Sequence, residues 1–181
     1  KGGNNGESHN HNDAGNFIVY ANGQPLMIDF GVGEYTSATF GKDRYSIWTM
    51  QSAYHNLPVV NGVQQKDGKQ YAARLINRSG GRLTLDIAGA YPKEAAVRSW
   101  RRTVGVSNKA VEVTEDCWLS EHKAPSQIVL MTTVLPVVAK SGLIALGNYG
   151  IEYSPAQLSP GIEDVSGKLD ALLHGVWGQE M

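Results

Sequence analysis

Turn signals, most of them centred on glycine, punctuate this chain about every eight to twelve residues, and the apolar runs between them are of strand length. Asn22-Gly23, Asn61-Gly62, residues 77–81 and Ser107-Asn108 are the clearest of these signals. Asn-Gly pairs tolerate the positive φ of a tight hairpin turn, so each ends one strand and starts the next. With 21 glycines and no long amphipathic helix in 181 residues, the economical architecture is all-β, an antiparallel β-sandwich. The length suits a single domain over residues 1–181, or one piece of a larger protein, with enough chain for a true core.

The segments follow from this pattern. Residues 16–30, NFIVYANGQPLMIDF, read as a hairpin about Asn22-Gly23. Residues 43–62 place Tyr45, Ile47, Trp48 and Met50 ahead of Pro58, which suggests an irregular or briefly helical stretch and then a short strand. Two strands flank the turn at 77–81. In the next strand Val97, Ser99, Arg101 and Thr103 share one face and Arg98, Trp100, Arg102 and Val104 the other, so its layer has one wet side. Arg101 and Arg102 are expected to be mostly solvated, at most one of them meeting an acidic sugar group, and Trp48 and Trp100 are expected in the core. Residues 126–138 and 142–154 add strands, while the closing KLDALLHGVWGQEM, residues 168–181, alone has helix-like spacing.

Bulk properties remove several function classes. Sixteen basic against 17 acidic residues leave a net charge of −1, without the basic footprint of a nucleic-acid-binding domain. The single cysteine, Cys117, excludes a disulfide framework and a thiolate zinc cluster, so any metal must be held by histidine and carboxylate. No run reaches the roughly 18 apolar residues of a membrane span. The chain starts KGGNNGESHN, with neither initiator methionine nor signal peptide, which reads as a processing, cloning or proteolytic boundary.

Five histidines are present: His9, His11, His55, His122 and His174. In SHNHNDAGNF, residues 8–17, an extended backbone would point His9, His11 and Asp13 the same way, toward a shared metal or substrate; the competing reading is a solvated arm or tag remnant. Asp29 closes the apolar strand PLMIDF. It needs a partner if buried, or else accepts backbone N–H groups from the glycine turn that follows. His55 sits in SAYHNLP, and His122 and His174 lie in polar or terminal surroundings expected at the surface. Asn10, Asn12 and Asp13 suit either a turn or bonds that orient the imidazoles. A cupin reading uses Gly3, His9, His11 and Gly23, but its glutamate position is Asn16 and no second motif follows, so it ranks low.

The segments HNHNDAGNFIVYANGQPLMIDFGVGEYT and SAYHNLPVVNG, followed by RRTVGVSNKAVEVTEDCWL, resemble the carboxy-terminal β-domain of the heparinase II/III family of polysaccharide lyases. The likeness is most specific over residues 9–62. It departs at Asn16, where serine often follows the glycine, and at Phe30, where proline often follows the aspartate. The resemblance implies an (α/α) toroid amino-terminal to this domain, absent from this chain, with the cleft between toroid and β-layers. It also implies zinc on His11, Asp29 and His55, in a structural role, and His9 as the catalytic histidine that the β-domain presents to the cleft. The implied reaction is β-elimination on an acidic, uronic-acid-containing polysaccharide, in a periplasmic or secreted bacterial enzyme, with room for a homodimer. The substrate-binding residues are not implied, and the isolated domain is not expected to be an efficient catalyst. The rival from another class is a noncatalytic carbohydrate-binding or scaffolding β-domain with a stabilising metal.

Overall fold

The computed structural model describes residues 1–178, so the last three positions of the helix-like closing segment, 179–181, lie outside the described residues. Contacts gather into two compact units, Lys1–Phe17 with Tyr35–Met131 and Ile18–Glu34 with Thr132–Met181. Both are built from antiparallel pairs, so the all-β reading of the turn signals is met.

The first unit is organised by a four-stranded meander of β1 (Arg74–Ser79), β2 (Arg82–Asp86), β3 (Val97–Val106) and β4 (Val111–Leu119). Gly80 and Gly81, at φ +58° and +73°, join β1 to β2 in the two-residue turn whose twist matches that of the strands. Alternation then sorts β3: Trp100 and Arg102 face inward at 3% and 1% exposure, while Arg101 faces water; Arg98, expected on the face of Trp100, is exposed because the register shifts between Val97 and Ser99. Leu85 and Trp100 meet Ile87, Ala90, Tyr91 and Ala95 from the turns after β2, and Ala14, Leu57 and Val60 from the loop side. That cluster is the unit's core. Shorter pairs complete the unit, Asn4–Asn5 with Gly68–Ala72 and Pro58–Val59 with Gln127–Ile128. The stretch read as briefly helical resolves into single 3-10 turns, among them Arg44–Ser46, Trp48–Met50 and Ser52–Tyr54, short as such turns are.

The second unit contains the hairpin Val19–Ala21 and Gln24–Met27. Its turn residues Asn22 and Gly23 both take positive φ, +52° and +80°, as the Asn-Gly signal requires. A three-stranded sheet follows, β5 (Val137–Lys140), β6 (Leu143–Leu146) and β7 (Tyr149–Glu152), and then one helix, α1 (Ala171–Trp177). Asp170 caps α1 by accepting the Leu173 N–H at 2.9 Å. At its far end Trp177 Nε1 donates to the Phe30 carbonyl at 3.1 Å. No helix among the described residues is long and apolar enough to cross a membrane.

Tyr91 ties the core to the strand before it, its hydroxyl donating to the Pro58 carbonyl. Burial pushes this hydroxyl well above its ordinary pKa of 10.0, a bond with Gln65 only partly opposing the shift. A raised folded pKa favours the protonated fold, so the contribution is complete below pH 10 and declines as pH rises beyond it. Tyr91→Phe should therefore cost about 1–3 kcal/mol at neutral pH by leaving the Pro58 carbonyl unpaired. It should also flatten the loss of stability above pH 10 in urea titrations. Parallel alkaline slopes in the two proteins would refute the assignment.

Candidate metal centre and an exposed histidine

The HNHND segment is not extended. His9 adopts the left-handed region, φ +57°, so the backbone turns there and the expected sharing of one face by His9, His11 and Asp13 does not occur. His9 is exposed, whereas His11 and Asp13 are 9% and 8% exposed. A single backbone angle thus separates the two histidines of the motif.

Buried amides staple the segment that follows. Asn5 Oδ1 accepts from the N–H groups of Asp13 and Ala14, each at 3.2 Å. Gln65 exchanges two bonds with Ala14, accepting its N–H at 3.0 Å and donating to its carbonyl at 2.8 Å. The Asn12 N–H donates to the Met50 carbonyl at 2.9 Å, which fixes the loop against the 3-10 turns that lead to His55. Asn10 is a turn residue: its side chain donates to the His11 carbonyl at 3.0 Å and accepts from the Tyr45 hydroxyl at 2.8 Å. Lys1 Nζ pairs with the Asp13 carboxylate.

His55 ends the Ser52–Tyr54 turn and is 1% exposed. Its ring lies 5.3 Å, centroid to centroid, from that of His11, tilted by 39°. Two buried imidazoles on separately anchored loops are a donor pair suited to zinc or a similar borderline ion. Asp29 belongs to the second unit and is half-buried, following the Gln24–Met27 strand. Its Oδ1 accepts the Gly31 N–H at 2.9 Å, the strand-end turn anticipated for it. That turn is braced from α1: Asp170 Oδ2 accepts the Glu34 N–H at 2.7 Å, and a Cβ on Gly33 would lie only 2.4 Å from the same oxygen.

His9 borders a concavity of about 310 Å³ lined by Glu7, Ser8, Thr39, Phe40 and Arg44 among others. Phe40 meets His9 edge to face at 6.4 Å and stacks on Tyr35 at 5.6 Å, with both hydrocarbon rings exposed. Arg44 uses its guanidinium to hold the carbonyls of Asn10 and Thr39, which shapes the concavity while leaving a positive charge at its wall. An accessible imidazole beside a cation suits proton transfer near an anionic ligand.

His122 and His174 are exposed, as expected. Trp100 is in the core, and Trp48 packs edge to face on Tyr54 at 5.1 Å. Arg102 corrects the expectation of a solvated charge: it is buried, with Nε donating to Glu115 at 2.7 Å and Nη1 to the Gly15 carbonyl at 3.0 Å. A signal was available. Counting outward equally from the turn after β3 places Glu115 opposite Arg102, on the strand face that holds Trp100.

With this geometry in hand, sequence comparison assigns the class. The family described as Heparinase II/III-like, C-terminal, matches residues 1–140, and the chain belongs to that family. No curated protein matches it at a significant level. Among solved structures it is similar to a heparinase III, with a TM-score of 0.53 and 22% identity over 76% of this chain and 21% of that one. A second heparinase III structure, with methylated lysines, has a TM-score of 0.49 and 22% identity over 67% of this chain and 18% of that one. The chain thus spans about a fifth of the length of the heparinase III chains it matches. At this identity the first likeness reports the fold.

The exposed His9 and the buried His55 should differ sharply on truncation. His9→Ala should change folding stability by less than about 0.5 kcal/mol, while His55→Ala should cost about 2–4 kcal/mol through an interior cavity. Urea denaturation of both variants measures this, and equal effects would contradict the burial contrast.

Proposed function

We propose that this chain is the β-domain of a polysaccharide lyase that cleaves uronic-acid-containing polysaccharide by β-elimination. In this reading His11, Asp29 and His55 hold a structural zinc, with Asp29 the acidic donor of the set, and His9 serves the cleft. The observation that supports it most directly is the division of the HxH motif, one imidazole buried against His55 and the other exposed at a concavity. Family membership supports the same reading.

Zinc would supply cohesion, fixing the loops of His11 and His55 whatever the substrate does. The chemistry asked of this chain's own residues is modest. At the uronate the C5 proton, α to the carboxylate, is removed by a base, and the glycosidic oxygen leaves with a proton from an acid. Negative charge spreads onto the carboxylate as this happens. His9 can accept or share that proton from its solvent-open position, and the Arg44 charge favours an anionic ring nearby. The remaining acid, base and carboxylate-binding groups are assigned to the toroid of the intact enzyme, which we place in the bacterial periplasm or outside the cell. A noncatalytic sugar-binding module is the second reading, favoured by the exposed Tyr35–Phe40 stack, a surface suited to a pyranose face.

Metal analysis under zinc-replete conditions should give one zinc per chain for the native protein and loss of that zinc in His11→Ala. Full retention by the variant would sink the ligand assignment. In the full-length enzyme His9→Ala should keep its zinc yet slow elimination by roughly 10²–10⁴-fold, followed as unsaturated uronate formed. Native rates would remove His9 from the mechanism and favour the binding module.

A further inference from the structure

Arg102 stands thirteen residues before its ion-pair partner, Glu115, and far in sequence from either buried histidine, yet its guanidinium reaches both histidine-bearing segments. Nη1 donates to the Gly15 carbonyl, just after the HNHND segment, and to the carbonyl of Asn56, the residue next to His55. Nε and Nη2 both bond Glu115 Oε1, and the other oxygen of that carboxylate accepts Trp100 Nε1 at 2.7 Å. Phe17 lies under the guanidinium, 5.2 Å from its centre.

The two segments are also joined through Asn56, whose N–H donates to Asn16 Oδ1 at 3.0 Å and whose Nδ2 donates to the Phe17 carbonyl at 2.7 Å, while its Oδ1 accepts the Met131 N–H at 2.7 Å. Gly15, at φ +94°, lies so close to Ile87 that a Cβ there would meet that side chain at 2.6 Å. Arg102 bridges these anchored pieces from a rigid central strand. Its orientation is fixed by Glu115 Oε1, which accepts from both Nε and Nη2, so it sets the separation of the two carbonyls within narrow limits.

We infer that Arg102 is a positioning residue for the metal centre: it fixes the distance between the loops of His11 and His55 by spanning the carbonyls of Gly15 and Asn56. The inference rests on the zinc reading above. A lysine at this position keeps the charge but has a single nitrogen, unable to hold Glu115 and both carbonyls in the arginine's planar arrangement.

The test compares zinc affinity and the visible spectrum of the cobalt-substituted protein in native chain, Arg102→Lys, and Val60→Ala as a control that loosens the same core without touching the bridge. Arg102→Lys should weaken zinc binding by about tenfold or more and alter the cobalt bands, while Val60→Ala should stay within about twofold of native. Native affinity and spectrum in a folded Arg102→Lys protein would overturn the inference, as would an equal loss in Val60→Ala, which would mark a general stability effect. If Arg102→Lys does not fold, Glu115→Gln takes its place. It removes the carboxylate charge and leaves a single acceptor oxygen where Arg102 and Trp100 use two, so a severalfold loss of affinity is expected and unchanged affinity overturns the proposal. Absence of zinc binding by the native chain would overturn the zinc reading itself, a result distinct from native binding that the variants leave intact.

Discussion

The first unit depends on an ionised side chain placed in its interior. Removing a guanidinium from water costs several kcal/mol after relaxation, and only close pairing with full hydrogen bonding offsets this. Glu115 supplies the opposite charge, and the carbonyls of Gly15 and Asn56 take the Nη1 donors. The arrangement is expensive to break, because any piece that moves strands a buried charge or a buried carbonyl. The loops that would otherwise be the unit's loosest parts are therefore committed to one geometry. Asn5 and Asn56 extend the same principle, each serving backbone groups of two segments, and Gln65 holds both backbone groups of Ala14.

Local chemistry was legible in the sequence, and long-range compensation was not. The Asn22-Gly23 hairpin, the strands around residues 77–81, the long β3–β4 pair and the closing helix all follow from turn residues or periodicity acting over a few positions. For Arg102 the partner Glu115 on the next strand can be counted from the turn, but its burial also depends on the carbonyls of two loops distant in sequence, which no local pattern reveals. The left-handed backbone at His9 was hidden for a different reason. Histidine is not a residue whose presence announces positive φ, and the alternation assumed for an extended strand failed at that one position.

That same angle explains how two different environments fit in three residues. In a regular strand, His9 and His11 would compete for one environment. The turn at His9 gives one imidazole solvent and a concavity, and the other an interior neighbour in His55. Proximity in sequence then aligns the two environments without requiring them to merge.

The brace on the turn after Asp29 has a practical meaning for where this domain ends. Family likeness stops at residue 140, yet the cap at Asp170 and the indole of Trp177 that grip residues 30–34 come some thirty residues later. A chain trimmed to the recognisable part would retain His9, His11, Asp29 and His55. It would nevertheless leave residues 29–34 suspended on two glycines at positive φ, the most pliable backbone available, with their strut removed. The boundary of resemblance and the boundary of mechanical support are different places in this protein.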